Sequence, residues 1–216
     1  MDTLHVTSVP RSSSSMAPRT RCIVVNSPSN PTGWTATLEE LQTILDLGRK
    51  HNIRLPGDTL ETLRPHVQVT EVMPDLITWL NKLHWMIAVL GDYDACRRIA
   101  RENVEDAKAE GIDYLELRFS PYFMAGPNKL NPAKVVEAVV AGVAEGRAKT
   151  GLKVNLIGIL SRTFGADACK VELEALLTQR AHLVALDLAG DEKNFPAELF
   201  TEHFKRGRES SIAWVT

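Results

Sequence analysis

The sequence predicts an α/β fold built on a parallel sheet. Short apolar runs with little polar alternation occupy 113–119, 154–160 and 183–188, as strands covered on both faces should. Helical stretches of roughly fifteen residues separate them, the crossover length that parallel neighbours require. Caps and glycines mark the joints between the two kinds of element.

Residues 1–20 carry Pro10, Pro18 and the run Ser12-Ser13-Ser14-Ser15, too little apolar surface to offset ordering entropy, and a disordered arm is expected there. Cys22-Ile23-Val24-Val25 is the first strand, stopped by the turn formers from Asn26 to Gly33. Thr37 and Glu40 form an S/T-x-x-E cap for a helix reaching His51, and Leu76, Ile77, Leu80, Leu83 and Ile87 mark a second helix after Pro74-Asp75. A helix from about Asp94 to Glu110 closes at Gly111 before the 113–119 strand. Asn131-Pro132 caps a helix running through Val135, Val136, Val139 and Val143 to Gly151. The 154–160 strand leads into a helix over 167–180. The 183–188 strand leads into a helical stretch near 198–208, and 212–216 starts another strand. That gives about four complete strands and a stub, whereas a closed barrel of eight strands needs about 250 residues.

The chain has 216 residues, 44% of them hydrophobic, enough for one core or two small ones. Its 25 Lys+Arg against 27 Asp+Glu leave a net charge of −2 and no basic footprint, which argues against a nucleic-acid partner. No apolar run reaches membrane-spanning length and no compact apolar leader opens the chain, so a cytoplasmic protein with no membrane role is expected. Cys22, Cys96 and Cys169 are far apart and lack C-x-x-C spacing, which suits small buried hydrophobes rather than disulfides or a zinc ribbon.

Ligand chemistry in parallel α/β proteins lies beyond the carboxyl ends of strands. Those ends read Glu116-Leu117-Arg118-Phe119-Ser120-Pro121, then Ser161-Arg162-Thr163-Phe164-Gly165, then Leu186-Asp187-Leu188-Ala189-Gly190-Asp191-Glu192. The trio resembles the ELRFSP, SRTFG and LDLAGDE segments of the adenosine deaminase family of zinc-dependent (β/α)8 hydrolases. The resemblance runs from about Gln42 to Arg208 and includes Thr62-Leu63-Arg64-Pro65-His66-Val67 and Ala95-Cys96-Arg97-Arg98. It implies a partial TIM barrel over 41–216, hydrolytic deamination of adenosine to inosine and ammonia as the family reaction, and Gly190 as backbone contact to the purine. A tight strand-end turn needing positive φ also accounts for Gly190, and both readings can hold at once.

The same resemblance implies a zinc ion that lowers the pKa of bound water, and a carboxylate that shuttles the proton. Its His-x-His falls by ungapped count on Thr32 and Trp34, and its His-Ala-Gly-Glu segment and later aspartates fall beyond Thr216. No metal ligand and no catalytic residue is therefore assigned. His5, His51, His66, His84, His182 and His203 include no pair at ligand spacing and read as surface or packing residues. A truncated chain, inactive alone, is expected.

Over residues 21–40, Val25-Asn26-Ser27-Pro28-Ser29-Asn30-Pro31-Thr32-Gly33 resembles the N-P-T-G region of pyridoxal-phosphate aminotransferases. That likeness implies Asn30 as a cofactor contact, although Asn-Pro-Thr-Gly is also an ordinary turn. The acid opposite the pyridine nitrogen should follow the next strand. The chain instead runs Arg54-Leu55-Pro56-Gly57, so pyridoxal phosphate is not expected and a chimera of two enzyme fragments is.

Three readings of function follow. The first is an adenosine deaminase-like partial barrel, whose polar rim of Arg118, Arg162, Asp187 and Asp191 is either a remnant of an active-site network or structural pairing, Arg118 with Glu116 and Arg162 with Asp187 or Asp191. Trp79, Trp85 and Met86 are core or a lid over a purine. The second is a non-catalytic module that keeps a purine nucleoside pocket around Gly190 or docks a partner through an open barrel edge, an edge that also favours self-association of the partial barrel. The third, with least support, is an aminotransferase fragment.

Overall fold

The computed structural model describes residues 24–26, 38–67, 75, 78 and 84–215. The expected arm at 1–20, Cys22, the turn holding Asn30, Thr32 and Trp34, the Thr37 cap, and Leu76, Ile77, Trp79, Leu80 and Leu83 lie outside them. The described residues up to Gly91, apart from Val24–Asn26, form one compact unit; Val24–Asn26 and the residues from Asp92 onward form another.

The first unit is helical. Helix α1, Leu38–Lys50, ends where Asn52 takes the left-handed conformation (φ 53°) and the Ile53 N–H reaches back to the Gly48 carbonyl at 2.8 Å. Helix α2, Leu60–Val67, is not among the elements expected from the sequence and accommodates Pro65 in its interior. Thr59 and Thr62 start it by bonding each other's backbone N–H through their hydroxyls at 3.3 and 3.1 Å. Ile44, Leu45, Leu63, Val67 and Val89 form the core, and Leu55, Trp85 and Met86 pack against it.

The second unit holds five parallel strands in the order β1 to β5: Val24–Asn26, Tyr114–Phe119, Lys153–Ser161, Leu183–Ala189 and Ala213–Val215. Helix α3, Tyr93–Ala109, precedes β2 and is capped by Asp92, which accepts the Ala95 N–H at 2.7 Å. A short helix α4, Pro121–Ala125, and the long helix α5, Pro132–Thr150, lie between β2 and β3. Asn131 caps α5, Pro132 opens it and Gly151 (φ 70°) closes it, as the sequence predicts. Helices α6, Gly165–Leu177, and α7, Thr201–Glu209, follow β3 and β4.

Register and burial divide the sheet's two faces. Leu115, Leu117 and Phe119 pair with Val154, Leu156 and Gly158 on the face that α6 covers, where a Cβ on Gly158 would meet Leu176 at 2.6 Å. The opposite face of β2 carries half-buried Tyr114, Glu116 and Arg118. β2 therefore alternates, its buried residues on the α6 side and its half-buried ones on the other, contrary to the expectation of strands covered on both faces. Between β3 and β4 the pairing passes over Val184, which is left exposed, and Ala185 resumes the register against Ile157.

Candidate functional site

The carboxyl ends of β2 and β3 meet around one buried carboxylate. Glu172 on α6 is 1% exposed. Its Oε1 accepts the Ser120 hydroxyl at 2.6 Å and the Tyr122 N–H at 3.1 Å, and its Oε2 accepts the Ser161 N–H at 2.6 Å. Burial pushes the Glu172 carboxyl up to about 7, overriding the hydrogen bonds from Ser120, Ser161 and Tyr122 that favour the charged form. Ser120 and Ser161 hydroxyls lie 2.8 Å apart, so a hydroxyl chain leads from Glu172 to the half-buried end of β3.

Arg118 and Asp187 form an ion pair across β3, with side chains 14% and 11% exposed. The expected partner Glu116 is instead engaged by the Tyr114 hydroxyl at 2.6 Å, and Tyr114 accepts from Asn155 at 2.6 Å. Register explains the correction: Arg118 sits opposite Ile157 and Asp187 opposite Ile159, so the two are diagonal on one face of the sheet and a long guanidinium spans the strand between them. Burial lowers the Arg118 pKa from its ordinary value.

Arg162 pairs with neither Asp187 nor Asp191. Its guanidinium donates to the Leu188 carbonyl at 2.9 Å and the Phe195 carbonyl at 3.4 Å, with Glu192 at 3.4 Å. The reason is chain direction: the turn after β3 lies against the turn after β4, so a side chain at its start meets backbone. Asp191 is half-buried and closes its own turn, accepting from the Asn194 N–H and side-chain amide at 3.2 and 2.5 Å; the Asn194 amide holds its carboxyl below the usual range. Gly190 has φ 117°, and a Cβ there would lie 2.4 Å from Thr163 Oγ1.

Four residues at this rim escaped the sequence reading. Ser120, Ser161 and Thr163 lay inside the quoted segments, but a hydroxyl has no spacing signature. Glu172 did leave a signal: it shares the apolar face of Cys169, Leu173 and Leu176, where a carboxylate needs buried partners.

Metal donors are sparse. Among the described residues no three His, Cys, Asp or Glu converge to hold an ion. Asp187 is taken by Arg118, and burial pushes the Cys96 and Cys169 thiols up to about 12, so neither offers a thiolate. His203 is buried with Nε2 donating to the Ala166 carbonyl at 2.9 Å.

Comparison with known proteins bears on these observations. The family model for adenosine deaminase matches residues 38–216, and that for class I and II aminotransferases matches 3–59. An adenosine deaminase of Pseudoalteromonas translucida is 57% identical over 172 residues, 80% of this chain and 52% of its own. One of Vibrio parahaemolyticus is 58% identical over 171 residues, 79% of this chain and 51% of its own. The chain thus spans about half the length of the curated relatives it matches. Among solved structures, an adenine deaminase of Arthrobacter aurescens superposes with TM-score 0.71 at 23% identity, covering 81% of this chain and 52% of that one. A Burkholderia ambifaria amidohydrolase with bound zinc gives 0.65 at 20% identity over 81% and 47%. An Arabidopsis protein complexed with GMP gives 0.65 at 19% identity over 80% and 52%. These likenesses identify the fold as part of a (β/α)8 barrel.

Proposed function

The chain belongs to the adenosine deaminase family, and on that premise we propose that its strand-end rim is the purine-facing part of a deaminase site which binds a purine nucleoside but does not deaminate it alone. One observation carries this reading: the Gly190 turn stands at the carboxyl end of β4 with φ 117°, leaving bare backbone at the place where ligands of such folds bind. The structural neighbour complexed with GMP is consistent with a purine ligand of this class.

Zinc, when bound in the family, supplies an activated water for attack on the amino-bearing carbon. The donors of the described residues do not fit it, for the reasons of pairing and protonation given above. No hydrolytic step is assigned to this chain. Arg118, Arg162, Asp187 and Asp191 belong in this reading to the scaffold of the rim, since each is engaged with a neighbouring group.

The domain division goes with the same proposal: a deaminase-like piece over 41–216 after an aminotransferase-like segment at 21–40. Pyridoxal phosphate is left unassigned, because Arg54-Leu55-Pro56-Gly57 stands where its acid should follow, and Asn30 is outside the described residues. Self-association through the edge of β5, which carries exposed Val215, is a second property of the reading and is checked by size-exclusion chromatography. A cytoplasmic location is supported by the free, buried Cys96 and Cys169.

Adenosine titration and ultraviolet-monitored deamination, with and without added zinc, test the reading. Weak saturable binding without turnover is expected. Zinc-dependent turnover overturns the inactivity, and absence of any binding overturns the purine assignment.

A further inference from the structure

The turn after β3 grips the turn after β4 at three backbone points. Arg162, buried, donates to the carbonyls of Leu188 at 2.9 Å and Phe195 at 3.4 Å. Thr163 Oγ1 accepts the Asp191 N–H at 2.9 Å. Gly190 lies between these points, and a Cβ there would stand 2.4 Å from Thr163 Oγ1 and 3.3 Å from Arg162 Cγ. The side chains of Arg162 and Thr163 therefore close the space that a larger residue at 190 would need.

We propose that Thr163 is a positioning residue for the purine contact, acting through the Gly190–Asp191 peptide. This rests on the reading of Gly190 given under Proposed function. The Asp191 N–H belongs to the planar peptide that leaves Gly190, so holding it fixes that peptide plane and with it the conformation of the Gly190 turn. Valine has the same shape but turns a methyl toward the N–H, which loses its acceptor and leaves the peptide to reorient. Serine keeps the acceptor and loses only a methyl.

Two readouts on the full chain separate this role from plain packing. The first is amide hydrogen exchange at Asp191 without ligand; the second is adenosine affinity. Thr163→Val is expected to speed Asp191 exchange roughly two- to tenfold, the worth of one lost hydrogen bond, leaving the Leu156 and Leu186 amides unchanged, and to weaken adenosine binding by about the same factor. Thr163→Ser is expected to restore both, and Thr163→Ala replaces the valine variant should that one fail to fold. Wild-type exchange and affinity in Thr163→Val, or failure of Thr163→Ser to restore them, overturns the proposal. If the wild-type chain binds no adenosine, the purine reading of Gly190 falls and the purine half of this proposal with it; the Asp191 exchange then decides whether Thr163 positions the turn.

Discussion

The Ser120 hydroxyl donates to Glu172 Oε1 across 2.6 Å and so ties the carboxyl end of β2 to α6. The same carboxylate holds the end of β3 through the Ser161 N–H and the start of α4 through the Tyr122 N–H. A single side chain thereby sets the spacing of two strand ends that a ligand site would need in register. Its protonation state is open to change because Ser120 can also turn its hydrogen toward Ser161, 2.8 Å away, and accept from a protonated Glu172.

Stability should fall as pH rises toward neutrality, and Glu172 should cause part of that fall. Burial lifts its pKa to about 7, above that of the unfolded chain, so the folded state binds the proton more tightly. The contribution is fully present below the unfolded value and is lost as pH rises through about 7. The steepest slope is of order 1.4 kcal/mol per pH unit. Urea unfolding of wild type and Glu172→Gln between about pH 5 and pH 8 measures it. The variant should be less stable at the acid end and have the flatter profile; parallel profiles would remove Glu172 as the source.

Breaking the Arg118–Asp187 pair from one side should cost more than removing it altogether. With both side chains mostly buried, Asp187→Asn leaves the guanidinium without its counter-charge, a loss of about 3–5 kcal/mol for pairs of this kind. Arg118→Met with Asp187→Leu fills similar volume with apolar groups and should recover most of it. A double-mutant cycle in chemical denaturation gives the coupling, and additive losses would show that the pair is not a unit.

Helices α3 and α5 approach through glycine, and the contact tolerates nothing larger. A Cβ on Gly142 would lie 2.1 Å from the Arg97 carbonyl oxygen, which is backbone and cannot rotate away. Helix propensity alone favours alanine by about 1 kcal/mol. Overpacking against backbone costs about 1–3 kcal/mol and should outweigh it, with a net loss for Gly142→Ala of up to about 2 kcal/mol. A raised thermal midpoint would mean that the helices separate without penalty.

Much of the second unit was legible because its signals are local. Asn131-Pro132 and Gly151 bound α5 on the chain itself, and the apolar runs marked β2, β3 and β4 within a residue or two. Gly190 and its turn were legible through the Leu186–Glu192 segment. Arg118 with Asp187 was not, since the pairing depends on register across an intervening strand, which no spacing along the chain encodes. α2 lies where Thr62 to Val67 was read only for its resemblance, although the spacing of Leu60, Leu63 and Val67 and the Thr59–Thr62 cap were there to be read.

Cys96 and Cys169 should resist alkylation in the folded chain. Burial is the first cause of their raised pKa, about 12 for each, with the charge of Asp92 adding to it at Cys96 and that of Glu172 at Cys169. The thiolate is the reacting form, so at mildly alkaline pH its population falls roughly a thousandfold below that of a free thiol. Iodoacetamide labelling located by mass spectrometry should modify both only after denaturant is added. Because Cys96 lies on α3 and Cys169 on α6 beside Glu172, the two rates report on different helices. Selective labelling of Cys169 in the native chain would mean that the helix carrying Glu172 lifts from the strand ends, and the rim could then not hold Gly190 and Ser161 in fixed relation to a ligand.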